Sequence, residues 1–241
     1  MKFSHYYLLP NIVTGIGLFC GFVAIIAAFN NHYFLSIYAI IAAMLSDGLD
    51  GPVARYTKTE TQFGKEFDSL ADMVSFGVSP ALIAYIWGFN KVSSLGILIS
   101  FYYLITVAVR LAKFNSEVQS KGFFSGLPSP ASAATLVSTI WFSEYYGIGG
   151  AATYIFTGII SIVVSSLMVA KIPFFSLKEV NIKKLNTPQN ITAIVMFLFV
   201  FFLQPALFFM LFFFSYIAFS LLDFFKIISI NNLLAKIQND K

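Results

Sequence analysis

The chain has 241 residues, 58% of them apolar and only 11% charged, with a mean hydropathy of +0.81. Soluble domains carry about 25% charged residues, so an ordinary water-soluble domain is excluded and a polytopic membrane protein fits. The net charge of +4 is explained by membrane topology without any nucleic-acid partner, and the single cysteine, Cys20, allows neither an internal disulfide nor a cysteine-based metal site.

A transmembrane helix needs about 20 largely apolar residues. Eight segments qualify, roughly 11–29, 32–55, 68–88, 93–112, 129–147, 149–170, 189–204 and 205–226. No linker is long enough for a soluble domain. The expectation is one all-α transmembrane domain over 1–241, with a core in 1–170 and two extra Phe-rich helices in 189–226.

Lys2 and His5 precede the first apolar run as in a secretion signal. The run is too long for one and no clear A-x-A site follows, so it reads as the first membrane helix. It starts after Leu9-Pro10-Asn11 and carries Thr14, Gly15, Gly17 and Gly21, small residues that let helices approach closely in a bilayer. Cys20 reads as a packing residue. The second helix runs to Asp47–Arg55, a polar loop spans Tyr56–Phe67, and the third helix starts near Asp68. The fourth ends at Arg110, opening a second loop from Leu111 to Leu127, and Pro128 and Pro130 mark entry to the fifth. Gly147, Gly149 and Gly150 form the turn to the sixth, and Lys171–Asn190 is the longest polar connection. The last two helices, rich in Phe and Leu, read as lipid-facing packing, and Asp223 as an interfacial residue beside Lys226.

Placing the N-terminus in the cytoplasm and alternating through eight spans puts fourteen Lys and Arg residues inside and Lys91 alone outside. This positive-inside bias supports both the count and the orientation, with both termini cytoplasmic. It points to a prokaryotic inner membrane protein.

Four of the eleven acidic residues fall within 26 positions: Asp47, Asp50, Asp68 and Asp72. Carboxylates beside a membrane core are expensive and mark function. In a helix, positions three and four apart share a face, so Asp47 and Asp50 form one acidic face and Asp68 and Asp72 another, with Ser75 and Ser79 extending the second stripe. A hairpin lets the two faces oppose one another. Converging carboxylates repel unless cations intervene. The pattern therefore points to a divalent-metal site that holds a phosphate-bearing substrate, and hard oxygen ligands suit Mg²⁺ or Mn²⁺, one or two ions. Gly48, Gly51 and Ala54 leave room for a diphosphate beside the acids, and Gly64 gives clearance in the loop. Arg110, Lys113 and Lys121 reach the same membrane face, where they offer cations to a carboxylate or phosphate.

The spacing D-x2-D-G-x2-A-R-x8-G-x3-D-x3-D is complete from Asp47 to Asp72 and resembles the motif of the CDP-alcohol phosphatidyltransferase family. L-P-N-I-V-T at 9–14, D-M-V-S-F-G-V-S-P-A at 72–81, R-L-A-K-F-N at 110–115 and F-S-G-L-P-S-P at 124–130 are similar to the phosphatidylserine synthase branch. Lys113 stands where arginine is expected in the third of these. The resemblance implies a membrane enzyme that moves a phosphatidyl group from CDP-diacylglycerol to L-serine and releases CMP. By that pattern Asp47, Asp50 and Asp68 bind metal, and Asp72 completes the metal site and serves as general base. Gly51, Ala54, Arg55 and Gly64 line the nucleotide diphosphate pocket. Ser75, Ser79 and Arg110 are offered to the acceptor, and Lys121 to the lipid phosphate. Two-fold assembly is implied by the resemblance alone. A different acceptor, such as glycerol 3-phosphate or inositol phosphate, stays open. An ion or proton transporter and a structural scaffold are the readings from other classes; neither explains acids gathered at one membrane face.

Overall fold

The computed structural model describes residues 9–57, 59, 61–92, 94–116, 124–174 and 202–239. Its helices are α1 Leu9–Phe29, α2 Tyr33–Thr57, α3 Gln62–Val92, α4 Leu95–Ser116, α5 Ser129–Tyr145, α6 Ala151–Val169 and α7 Pro205–Asn239. Two two-residue strands, β1 Phe124–Ser125 and β2 Pro173–Phe174, pair antiparallel. Among the described residues, six helices are long and apolar enough to cross a membrane: α1, α2, α3, α4, α6 and the Pro205–Lys226 part of α7. The 17-residue α5 is shorter, and most of the expected 189–204 span lies outside the described residues.

Successive helices reverse direction, which brings the end of α2, the start of α3, the end of α4 and the start of α5 to one end of the bundle. The connection between α2 and α3 is shorter than the sequence suggests. Thr61 caps α3, its hydroxyl accepting from the Gly64 N–H at 3.0 Å, so the helix starts at Gln62 and the polar residues expected in a loop become its first two turns.

Hydroxyls bond α1 to both its neighbours. Ser36 Oγ donates to Ala24 O at 2.9 Å and Ser46 Oγ to Val13 O at 2.6 Å. From α3, Ser75 Oγ donates to Gly17 O at 3.0 Å and Ser79 Oγ to Gly21 O at 2.8 Å. The α1–α3 approach requires glycine: a Cβ on Gly21 would lie 2.8 Å from Ser75 Cα.

The α3 rod holds a π segment, Met73–Val78, directly after Asp72. Its cause lies two residues beyond, at Pro80. Proline lacks an N–H and crowds the carbonyl four residues back, that of Phe76. Wide turns relieve the crowding. The Phe76 carbonyl accepts from Tyr103 of α4, whose buried hydroxyl donates to it at 2.9 Å.

The core runs around α5, where thirteen of seventeen residues are buried. Four of its hydroxyls bond back along the helix, Thr135 to Ala131 O at 2.7 Å, Ser138 and Thr139 each to Thr135 O at 2.9 Å and Ser143 to Thr139 O at 2.9 Å, so burial leaves these four satisfied. At the end remote from the acids, Trp87 Nε1 donates to Glu144 Oε1 at 2.6 Å. The outer surface of α1 exposes Ile12, Ile16, Phe19, Phe22 and Ile26, a lipid-facing composition.

Candidate active site at the acidic end of the bundle

The two acidic faces meet. Asp47 and Asp50 on α2 and Asp68 on α3 each place one carboxylate oxygen within 4.8 Å of the others. Asp50 is 8% exposed. A third helix holds it: Thr14 Oγ1 of α1 donates to Asp50 Oδ2 at 3.0 Å, with Pro10 O as an alternative acceptor at 3.1 Å.

Two connected hollows share Thr14, Asp50 and Asp68. The inner one, about 10 Å³, is lined by Asp47, Asp50, Asp68 and Asp72, with Ser75 and Phe76 at its floor. That is room for about one ion or water. Hard oxygen donors at this spacing around a volume of this size fit a hard divalent cation. Asp72 stands apart from the tight trio and interacts electrostatically with Asp47, Asp68 and Asp50 and with Arg110 across from them.

The outer hollow is a cleft of about 390 Å³, within the range of small-ligand sites. Gly51, Ala54, Arg55 and Gly64 line it with Asn11, Thr59, Thr61, Gln62 and Lys65. Arg55 folds back along α2, its Nη1 3.5 Å from where a Gly51 Cβ would stand. A Gly64 Cβ would lie 3.2 Å from Thr61 Oγ1 and 3.3 Å from Asn11 Oδ1. Both glycines therefore keep the cleft open between polar side chains.

Not every expected residue joins the site. Gly48 is exposed, a Cβ there would meet nothing within 4 Å, and it lies apart from the cleft lining. Ser79 is wholly buried and gives its hydroxyl to Gly21 O of α1 or to Val74 O at 2.7 Å. Ser75 and Ser79 share the face that packs on α1, and Ser79 lies one turn deeper than the inner hollow. Ser75 stays at the floor of the inner hollow, but its proton goes to Gly17 O. Lys113 is exposed on α4, and Lys121 lies outside the described residues.

Arg110 does face the acids. Its side chain interacts electrostatically with Asp72 and Asp47, and its Nη1 donates to Ser129 Oγ at 3.0 Å. Sequence reasoning missed Asn11, Thr14, Thr59, Thr61, Gln62 and Lys65 as lining residues. For Asn11 and Thr14 a signal existed: both lie in L-P-N-I-V-T, away from the acidic segment but at the matching helix end.

Residues 7–165 match the CDP-alcohol phosphatidyltransferase family. A CDP-diacylglycerol–serine O-phosphatidyltransferase of Helicobacter pylori (strain J99) is 35% identical over 208 residues, covering 85% of this chain and 86% of that protein. A protein of the same name from Mycobacterium bovis is 32% identical over 197 residues, covering 78% and 66%. Another from Methanocaldococcus jannaschii is 34% identical over 171 residues, covering 71% and 72%.

Proposed function

The chain belongs to the CDP-alcohol phosphatidyltransferase family, and from that membership and its acidic cleft we propose that it transfers a phosphatidyl group from CDP-diacylglycerol to L-serine, giving phosphatidylserine and CMP. The observation that carries the reading is the convergence of Asp47, Asp50 and Asp68 from two helices within 4.8 Å, at the inner end of a cleft sized for a nucleotide.

In this reading the CDP head occupies the outer cleft and the acyl chains stay in the bilayer. Arg55 and Lys65 offer charge to the diphosphate, while Gly51, Ala54 and Gly64 let it approach the backbone. Asp47, Asp50 and Asp68 would hold one or two Mg²⁺ or Mn²⁺ ions, which, when bound, neutralise the diphosphate and the charge on departing CMP. Asp72 lies in the same hollow outside the tight trio, free of the closest ligand positions, and serves as general base. The serine hydroxyl oxygen forms a bond to the lipid-side phosphorus, the bond from that phosphorus to the bridging oxygen of CMP breaks, and the hydroxyl proton passes to Asp72.

Arg110 is the group for the acceptor's carboxylate. A phosphorylated acceptor calls for a tight basic cluster, whereas among the described residues Arg110 is the one cation that interacts with Asp72, and Lys113 is exposed. This favours serine over glycerol 3-phosphate or inositol phosphate. In this reading the acidic end lies on the cytoplasmic side of a prokaryotic inner membrane with both termini cytoplasmic, which the positive-inside charge asymmetry supports. Two-fold assembly belongs to the same proposal, and cross-linking in native membranes tests it.

The deciding experiment is an acceptor screen. Purified protein is given CDP-diacylglycerol with L-serine, glycerol 3-phosphate or inositol phosphate, and CMP release is measured with Mg²⁺, with Mn²⁺ and with chelator. Serine-dependent, chelator-sensitive release is expected. Release with glycerol 3-phosphate alone would overturn the serine assignment.

A further inference from the structure

Asn115, the last residue of R-L-A-K-F-N, reaches from the end of α4 to the first two turns of α3. Its amide forms a reciprocal pair with Ser69: Asn115 Nδ2 donates to Ser69 Oγ at 3.0 Å, and Ser69 Oγ donates to Asn115 Oδ1 at 3.2 Å. The same Nδ2 gives its second proton to Glu66 Oε2 at 3.2 Å. The other Glu66 oxygen, Oε1, accepts from Gln62 Nε2 at 2.7 Å. A carboxylate only accepts, so both amides turn their nitrogens toward Glu66, and the bonds run unbroken from α4 to the first turn of α3.

Those turns are a wall of the outer cleft, which Gln62, Gly64, Lys65 and Asp68 line. Gln62, Glu66 and Ser69, spaced four and three apart, share the side of the helix that meets α4, while Gly64 and Asp68, four apart, share the side toward the cleft. The second support of the wall is α1, where Asn11 Oδ1 lies 3.3 Å from the place a Gly64 Cβ would take. On the third side Phe63 and Leu70 are each 67% exposed and give the helix little backing.

We propose that Asn115 is a positioning residue, which fixes the first two turns of α3 against α4 and so sets the width of the nucleotide cleft. The inference rests on the CDP head occupying that cleft. Without the amide the wall keeps only its α1 support, and a cleft that must be ordered on binding holds its ligand less tightly. Asn115 thus acts on the donor half of the reaction, whereas Arg110 on the same helix serves the acceptor.

The test uses the full chain in mixed micelles with CDP-diacylglycerol and L-serine, comparing wild type, Asn115→Ala, Asn115→Asp, and Asn115→Asp combined with Glu66→Gln. Asn115→Ala should raise the KM for CDP-diacylglycerol about threefold to tenfold, the scale of one lost hydrogen bond, and leave the serine KM near its wild-type value. A role confined to stability would reduce the amount of active enzyme and move neither KM. Asn115→Asp sets a carboxylate against Glu66 and should raise the CDP-diacylglycerol KM further. Adding Glu66→Gln replaces that repulsion with an amide-to-carboxylate bond and should recover most of the loss. An unchanged CDP-diacylglycerol KM in Asn115→Ala and Asn115→Asp, in a protein that Asp68→Asn inactivates, overturns the inference and leaves the transferase reading standing. Equal rises in both KM values, or no recovery on adding Glu66→Gln, also overturn it. A wild type that releases no CMP removes both. If Asn115→Ala does not fold, Ser69→Ala, which removes the reciprocal partner, gives the same readout.

Discussion

Thr14 Oγ1 stands 3.0 Å from Asp50 Oδ2 and bonds the first helix to a carboxylate of the second. The contact is buried, and it orients one of the three carboxylates that gather at the inner hollow. Groups that orient metal ligands typically change metal affinity by about 10–100-fold when removed. Thr14→Ala should therefore raise the Mg²⁺ or Mn²⁺ concentration for half-maximal activity by about tenfold or more, while Thr14→Ser, which keeps the hydroxyl, stays near wild type. Metal titration of CMP release reads the difference.

The trio itself predicts a sharper loss. Asp47→Asn, Asp50→Asn and Asp68→Asn each remove a charged ligand from a set whose oxygens lie within 4.8 Å. CMP release should fall by about a hundredfold or more in each, the scale of losing a directly placed catalytic electrostatic group. Chelator should silence the wild type, and restored Mg²⁺ or Mn²⁺ should recover it. Variants that retain full activity would exclude a metal role for these residues.

Asp72 should behave differently from its neighbours. It lines the inner hollow but lies outside the closest group. Asp72→Asn should lower kcat by about 10²–10⁴-fold, the range of general-base catalysis, with a smaller change in KM for CDP-diacylglycerol. Steady-state kinetics on both substrates checks this split. A metal-affinity defect as large as that of Asp68→Asn would reassign Asp72 to the ligands.

The Tyr103 hydroxyl bonds α4 to the π segment of α3. It donates to Phe76 O at 2.9 Å in the fully buried interior, where proline supplies no helical N–H. Tyr103→Phe removes that buried bond, which should cost about 1 kcal/mol of stability. A lowered thermal midpoint with the metal requirement unchanged is the expected outcome. An unchanged midpoint would show that the π segment satisfies Phe76 by other means.

Much of the site was legible in the chain because it depends on local spacing. Three residues from Asp47 to Asp50 and four from Asp68 to Asp72 place each pair on one helical face. A hairpin returning to the same membrane surface brings the two faces together, as the 4.8 Å grouping shows. The apolar spans were legible for the same local reason, and the six long helices agree with them in position. The polar loop was misjudged because the Thr61 cap turns Gln62–Phe67 into helix.

The sequence by itself determined which residue types share a helix face, since backbone period and apolar run length are properties of contiguous residues. Only the tertiary structure decided which faces meet. It brought Thr14 to Asp50, left Gly48 outside the cleft, and gave the Ser75 and Ser79 hydroxyls to carbonyls of α1. Those outcomes depend on close approach at Gly21 and on packing between helices far apart in the chain, neither of which a single helical period encodes.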